Sequence, residues 1–139
     1  MRRHMLTAML GLGLAVLGAP ATASSTGTWP DRALRLVVPF SPGGTTDTVA
    51  RQYAEFLRSR IGQTVIVENR PGAATNIGTE AVVRAAPDGY TLLLGSTLLA
   101  SNPTYGPVTP NFDPITALQP ISLTTVTPFL IAANPRVPA

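Results

Sequence analysis

The sequence contains no cysteine and no lysine, and its only histidine is His4. Without cysteine the chain has no disulfide, no thiolate metal site and no cysteine nucleophile. Without lysine it has no Schiff-base residue and no P-loop lysine, and its glycines do not follow the dinucleotide-binding G-x-G-x-x-G spacing. The chain beyond His4 also lacks an imidazole for acid-base catalysis or metal binding. We therefore expect a binding protein, with no catalytic residue, no metal site and no cofactor.

The charged residues are few and scattered. The seven acidic residues include no two in the arrangement of a glycosidase pair. Two of the ten arginines, Arg2 and Arg3, precede residue 24, so eight arginines against seven acidic residues leave a net charge of about +1 in the remainder. These arginines are spread singly, which predicts no basic stripe for a membrane surface and no nucleic-acid partner. Because the chain lacks cysteine and lysine and has only one histidine, at position 4, a small secreted enzyme is the least favoured alternative.

The first 23 residues have the pattern of a signal peptide. Arg2 and Arg3 precede an apolar run over residues 5–19, and Ala21-Thr22-Ala23 places small residues at positions −3 and −1 of a cleavage site. We predict export and cleavage after Ala23. The apolar run is short for a membrane span, so an uncleaved anchor is the weaker alternative. The arginine pair lacks the flanking residues of a full twin-arginine signal, which leaves the export route open.

The stretch LVVPFSPGGTTDTVAR, residues 36–51, joins an apolar strand-like run to an amphipathic helix through Pro-Gly-Gly. Apolar residues recur every three or four positions up to Ile61, which predicts a helix over 46–61 with one buried face. Hydroxyl and carboxylate side chains from Thr45 to Asp47 can cap its first turn. The Gly43-Gly44 pair would let an anionic oxygen approach the N-terminal amides of the helix. The alternative is a tight turn whose glycines serve a positive φ.

The sequence then alternates strands and helices. Strands are predicted over 34–40, 64–68 and 90–94. A second helix is predicted after the second strand, with Asn76 as its cap. This alternation is typical of a parallel α/β sheet, in which the loops that follow the strands lie at one edge. The three loops, rich in small or hydroxyl-bearing residues, cover 41–47, 70–76 and 95–97. Their convergence favours an anion site over the tight-turn alternative.

The chain beyond Ala100 is interrupted repeatedly by proline. This pattern predicts a long surface excursion with at most one short helix, around residues 114–118. Two later apolar runs, over 121–126 and 129–133, are expected to be strands. Residues 134–139 are then expected to end the chain in a turn.

Several motifs together resemble the N-terminal part of one family. The segments PFSPGGTTDTVAR, VIVENRPGAATNIGTEAVVRAAPDGYTLLLG and FDPITALQPISL are similar, in order and spacing, to those of the tripartite tricarboxylate transporter receptors, also called the Bug family. The match runs from Trp29 to Ala139. The resemblance implies a periplasmic solute-binding protein of two α/β lobes, like the type II periplasmic binding proteins. Its lobes would close over a small carboxylate and deliver it to membrane permease subunits.

The resemblance also implies a domain organisation. Residues 1–23 would be the signal peptide, residues 24–33 a lead-in, and residues 34–139 part of the first lobe, with a mostly parallel sheet flanked by helices. Members of the family are much longer, so the second lobe is expected to be absent and the chain to be truncated. The alternative to a working carboxylate receptor is then a remnant of such a receptor that does not bind.

Carried onto this chain, the resemblance implies a ligand site built from the three loops. The glycine pair would allow close backbone approach, and the two threonines that follow would donate hydroxyl or amide hydrogens. Asp47 is expected to cap the helix, in preference to recognising an amino or hydroxyl group of the ligand. The candidate ligand-binding residues are Ser41, Gly43, Gly44, Thr45, Thr46, Asp47, Asn76, Ser96 and Thr97.

Two features of the second loop affect how the ligand site of the family corresponds to residues of this chain. Arg70 could clamp a carboxylate, yet it is expected to brace its own loop by bonding the backbone or Glu68. Relatives commonly have G-A-G-G-N or G-A-S-G-N where this chain has Gly72-Ala73-Ala74-Thr75-Asn76, so the added Cβ atoms are expected to alter ligand approach. The aromatic residues expected in the core or on the surface, rather than in a ligand cage, are Trp29, Tyr53, Phe56 and Tyr90.

Overall fold

The computed structural model of the chain describes residues 27–126, 132 and 134–136. The predicted signal peptide lies outside these residues, as does the apolar run 129–133 apart from residue 132. No helix among the described residues has the length and apolar character needed to cross a membrane.

A three-stranded parallel sheet forms the centre of the fold. Its strands are β1 (Leu34–Val38), β2 (Val65–Asn69) and β3 (Thr91–Leu93), in the order β2-β1-β3. Both pairs are parallel, and Leu36 of the central strand lies opposite Val67 on one side and Leu92 on the other. The parallel sheet predicted from the alternation of elements is therefore confirmed, with strand ends that differ from the prediction by one or two residues.

Within residues 27–126, four helices and a 3₁₀ turn connect and follow the strands. They are α1 (Thr45–Ile61), the 3₁₀ turn Ala73–Thr75, α2 (Asn76–Val83), α3 (Leu98–Tyr105) and α4 (Pro114–Ala117). Helix α1 joins β1 to β2, and α2 joins β2 to β3 across the sheet in the opposite direction. Because such crossovers are right-handed, the two helices lie on opposite faces. The alternating order strand, helix, strand thus becomes a layered α/β unit.

The core lies mainly between α1 and the sheet. Leu34, Leu36 and Val38 of β1 are almost fully buried, and they pack with Ala50 and Ala54 of α1. Val37, which points to the other face because side chains alternate along a strand, is also fully buried. Because both faces of β1 are buried, its sequence is a nearly continuous apolar run. Of the aromatic residues, Trp29 and Phe56 are about half exposed, at 53% and 50%.

The region after Ala100 differs from the sequence prediction in two respects. Helix α3 extends to Tyr105, although the repeated prolines predicted at most one short helix in this region. Pro103 lies in the second half of α3, where it removes only the hydrogen bond to the carbonyl of Leu99. The buried side chain of Asn102 anchors the same turn to the carbonyl of Ala74.

The predicted strand over 121–126 is wrong. These residues have no regular structure, and Ile121 and Leu123 are 80% and 81% exposed. An apolar run becomes a strand only where a neighbouring strand pairs with it, and none of the described strands does so. The short helix predicted around 114–118 is confirmed as α4, whose N-cap Asp113 accepts a hydrogen bond from the amide of Ile115 at 3.0 Å.

Candidate functional site

The loop from β1 to α1 leaves the N-terminus of α1 open to solvent. Gly43 has a φ of +85°, so the turn itself favours glycine there. Gly44, the N-cap residue, has an ordinary φ of −81°. A Cβ atom on Gly44 would lie 3.8 Å from its nearest neighbour, the carbonyl oxygen of Ser41. The fold therefore does not require glycine at position 44, and no described residue crowds the position that a Cβ atom would occupy there.

The first amides of α1 face this open space without protein acceptors. The helix ladder begins with the amide of Thr48, which donates to the carbonyl of Gly44 at 3.0 Å. Among the described residues, no acceptor is hydrogen-bonded to the amides of Thr45 and Thr46. Thr45 is exposed and Thr46 is partly buried. Unpaired amides at the positive end of a helix dipole provide donors for an anion.

Asp47 stabilises the loop between β1 and α1 through hydrogen bonds. Its carboxylate is only 4% exposed and accepts hydrogen bonds from the amide of Gly43 at 2.9 Å and from Nδ2 of Asn69 at 2.9 Å. Arg51 adds two more, from Nε at 3.0 Å and Nη2 at 3.1 Å. Four donors occupy the acceptor sites of a carboxylate, so Asp47 is committed to the loop itself. The bonds from Arg51, then Gly43 and Asn69, lower the pKa of Asp47 to about 2, and the residue is charged at neutral pH.

Asn69 is a residue of this network that the sequence reasoning missed. It ends β2, and its Nδ2 bonds the carbonyl of Phe40 at 3.2 Å as well as Asp47. The side chain therefore ties the end of β2 to the loop after β1. The motif E-N-R contains this asparagine directly after an apolar strand, and its place at the sheet edge is the signal that could have identified it.

The second loop turns through left-handed backbone. Ala73, Ala74 and Thr75 have φ values of 46°, 51° and 79°, and Gly72 precedes them at 124°. Three consecutive residues with Cβ atoms in this region are unfavourable, since the left-handed conformation brings Cβ too close to the carbonyl oxygen. The second loop thus keeps a glycine-type conformation without glycine at positions 73–75.

The expectation that Asn76 caps α2 is wrong. The N-cap residue is Thr75, which makes no capping bond with its side chain, and Asn76 already has helical φ and ψ. Because the left-handed turn places Asn76 inside the helix, its side chain turns elsewhere. It donates to the carbonyl of Val108 at 2.8 Å and accepts from Nδ2 of Asn102 at 3.3 Å.

Asn102 therefore supports the second loop from α3. The residue is 3% exposed, and its Nδ2 also donates to the carbonyl of Ala74. Sequence reasoning missed this residue because its partners lie more than 20 positions away. Only the fold brings α3 against the left-handed turn.

The third loop contributes Ser96 and Thr97 in front of α3. Ser96 is partly buried, and its Oγ accepts a long bond from the amide of Leu98 at 3.3 Å. Thr97 is exposed and is the N-cap residue of α3. Ser96 therefore bonds the first amide of α3 from the residue before the N-cap position, and exposed Thr97 makes no side-chain capping bond.

The three loops start from adjacent strand ends. The amide of Arg70 bonds the carbonyl of Val38 at 2.8 Å, and the amide of Leu94 bonds the carbonyl of Val37 at 2.9 Å. Since both bonds extend the ladder at the carboxyl end of β1, all three loops leave the same edge, as predicted. The sheet thus brings the first residues of each predicted loop together.

Arg70 braces its own loop, as expected from the sequence. Its Nε bonds Oε1 of Glu68 at 2.5 Å, and Arg35 contacts Oε2 of the same carboxylate at 2.8 Å. The bond from Arg70 is the main cause of the lowered pKa of Glu68. Within the described part of the chain, no three histidine, cysteine or acidic residues cluster as metal ligands would.

Comparison with known proteins gives one consistent family. The model of the "Tripartite tricarboxylate transporter family receptor" matches residues 49–139. The chain is 39% identical over 139 residues to Protein BugT of Bordetella pertussis, which covers 99% of this chain and 42% of BugT. It is 41% identical over 121 residues to a UPF0065 protein of the same organism, covering 86% of this chain and 36% of that protein. The chain therefore spans less than half the length of these relatives.

Solved structures show the same fold. A structure described as a periplasmic transporter is similar with a TM-score of 0.59 and 42% identity, covering 63% of this chain and 30% of that one. A TctC solute binding protein from Polaromonas is similar with a TM-score of 0.53 and 38% identity, covering 55% of this chain and 26% of that one. The parallel α/β unit described above corresponds to part of each of these proteins.

Proposed function

Because the chain belongs to the family of tripartite tricarboxylate transporter receptors, we propose that it is an extracytoplasmic receptor segment that binds small carboxylates. The ligand class would be di- or tricarboxylates or related organic acids. Membrane permease subunits of a tripartite transporter would be its partners. We further propose the periplasm as its location, with residues 1–23 removed as a signal peptide after Ala23, residues 24–33 as a lead-in and residues 34–139 as part of a first lobe.

The observation that carries this proposal is the open N-terminus of α1. The amides of Thr45 and Thr46 lack protein acceptors among the described residues, and Gly44 leaves the space in front of them free. A carboxylate is a planar anion with two oxygens, so it can accept from two such amides at once. Phosphate would suit the helix dipole equally well, and the family relationship favours the carboxylate.

Within this proposal the candidate residues take different roles. Gly43 and Gly44 admit the ligand, Thr45 and Thr46 donate to it, and the hydroxyls of Ser41, Ser96 and Thr97 line the same edge of the sheet. The contacts of Asp47 and Asn76 favour supporting roles. The acceptor sites of Asp47 are filled, and Asn76 is bonded to Asn102 of α3 and to the carbonyl of Val108. Asp47 would hold the first loop, and Asn76 the second.

The acidic residues give little support to the enzyme alternative. Each of the two carboxylates nearest the sheet edge, Asp47 and Glu68, is bonded to arginine, which keeps its pKa low. A general base needs a pKa near the working pH and a free lone pair. Binding is therefore the function that this arrangement supports best.

Isothermal titration calorimetry of the purified chain tests the proposal. We expect succinate and citrate to bind, and succinamide, which has the shape of succinate without its charge, to give no heat of binding. In the variant Gly44→Ala a methyl group enters the space in front of the amides, and affinity is expected to fall about tenfold. The unfolding midpoint should barely change, because that methyl meets no close neighbour. Equal binding of succinamide, or unchanged affinity in Gly44→Ala, would contradict the proposal.

A further inference from the structure

Asp47 creates an electrostatic conflict at the proposed anion site. The residue lies in the first turn of α1 and bonds the amide of Gly43, so its negative charge sits beside the donors that would hold an anion. A like charge at such short range opposes anion binding. Burial of the carboxylate, which is 4% exposed, also reduces the screening that water would provide.

Arg51 lies one turn further along α1 and faces the same carboxylate. Its Nε bonds Oδ2 of Asp47 at 3.0 Å, and its Nη2 bonds Oδ1 at 3.1 Å. Oδ2 is the atom that accepts from the Gly43 amide, and Oδ1 is the atom that accepts from Asn69. The guanidinium therefore fixes both oxygens in the positions that order the loop, and it places a positive charge beside the negative one.

We propose that Arg51 is a positioning and charge-compensating residue of the anion site. From a side chain that is 56% exposed, it offsets part of the field of Asp47 at the amides of Thr45 and Thr46, so that the carboxylate can order the loop with less repulsion of the ligand. This inference rests on the proposed carboxylate site and assigns to Arg51 no contact with the ligand. The contribution of Arg51 to affinity grows with the number of charges that the ligand carries.

Arg58 provides a matched control on the same helix. It pairs with Glu55 through Nε at 3.0 Å and Nη2 at 2.6 Å, as Arg51 pairs with Asp47. The two arginines are separated by seven residues, or about 10 Å along the helix. Arg58→Gln thus removes the same charge and a similar ion pair, at a distance where salt screens its effect on the loop.

The first experiment needs no ligand. Amide hydrogen exchange above neutral pH is catalysed by hydroxide, so its rate at Thr45 and Thr46, measured by NMR water-exchange spectroscopy, reports how readily an anion approaches these groups. We expect Arg51→Gln to slow this exchange about fivefold and Arg58→Gln to leave it unchanged. Equal exchange in the two single variants would overturn the proposal.

The second experiment measures affinity for acetate, succinate and citrate, which carry increasing charge. In Arg51→Gln the loss of affinity should increase from acetate to citrate, whereas Arg51→Lys, which keeps the charge, should show a smaller dependence. A loss that is equal for all three anions would indicate a purely structural role and overturn the charge compensation. If exchange responds as expected but the unmodified chain binds none of the anions, the proposed function fails while the role of Arg51 in the field at the loop stands.

Discussion

At the scale of single residues, Asp47 connects loop geometry to pH. Its pKa is lowered from the ordinary 3.8 to about 2 by hydrogen bonds from Arg51, Gly43 and Asn69. A carboxyl group whose pKa is lower in the folded state stabilises the fold above its unfolded pKa and loses this effect as the pH falls towards its folded pKa. The contribution of Asp47 is therefore complete above about pH 4 and lost by about pH 2.

This effect predicts the behaviour of Asp47→Asn. We expect the variant to have a lower urea midpoint than the unmodified chain at pH 7 and a difference that shrinks between pH 4 and pH 2. Glu55→Gln, which removes an exposed carboxylate from the same helix, should change the midpoint much less. Urea denaturation followed by circular dichroism at several pH values measures both. A difference that stays constant with pH would show that the charge of Asp47 is not the cause.

The left-handed turn gives a second prediction at this scale. Ala74, with φ 51°, is expected to be strained, so Ala74→Gly should stabilise the chain by about 0.5–1 kcal/mol after the greater flexibility of glycine in the unfolded chain is subtracted. Ala81→Gly, in the right-handed helix α2, should instead destabilise it by about 1 kcal/mol. Urea unfolding of both variants gives the comparison. Destabilisation by Ala74→Gly would contradict the strain.

Sequence reasoning predicted contacts between neighbouring residues better than distant ones. Arg70 and Glu68 are two positions apart at the end of one strand, so their bond could be expected. Asn69 and Asp47 are 22 positions apart, and Asn102 and Ala74 are 28 apart. Such contacts depend on the order of the strands and on the path of α3, which local propensities do not specify.

At the scale of secondary structure, strong periodicity made α1 predictable to within one residue. The expected side-chain cap was wrong, because the N-cap residue is Gly44 and Asp47 bonds the amide of Gly43 before it. Helices and strands were predicted less well where the position of a proline or the presence of a pairing strand determines the structure. Helix α3 tolerates Pro103 because the proline lies near its end and Asn102 anchors the turn. The run 121–126 has a strand-like composition, but composition alone does not supply the neighbouring strand.

The anchoring of α3 is itself testable. Asn102→Ala removes the donor that holds Ala74 and Asn76, and we expect it to destabilise the chain by about 1–3 kcal/mol, since the lost group is buried. The matched change Asn111→Ala removes an exposed bond to Glu80 and should alter stability by less than about 0.5 kcal/mol. Urea unfolding compares the two variants. Equal effects would show that Asn102 does not carry the contact between α3 and the second loop.

At the scale of the whole molecule, the proposed function depends on one edge of the sheet. The order β2-β1-β3 places the loop before α1 at the centre, with the other two loops on either side. The convergence of the loops at one edge could be predicted from the alternating pattern. The strand order and the support beneath the first loop could not, because they depend on contacts that form only in the fold, including those between side chains of α1 and β2. The chain covers 42% of BugT and 36% of the UPF0065 protein of Bordetella pertussis, so whether this edge binds a carboxylate by itself has to be measured.

The most direct test is a residue-resolved NMR titration of the ¹⁵N-labelled chain with succinate, with succinamide in parallel. We expect the amide signals of Gly43 to Thr46 to shift progressively and saturate with succinate, even if the dissociation constant is about 1 mM or weaker, and not to move with succinamide. Weaker shifts should occur at Ser96 and Thr97. Absence of any shift at Gly43 to Thr46 up to about 100 mM succinate, or saturable shifts confined to other parts of the chain, would contradict carboxylate binding at the N-terminus of α1.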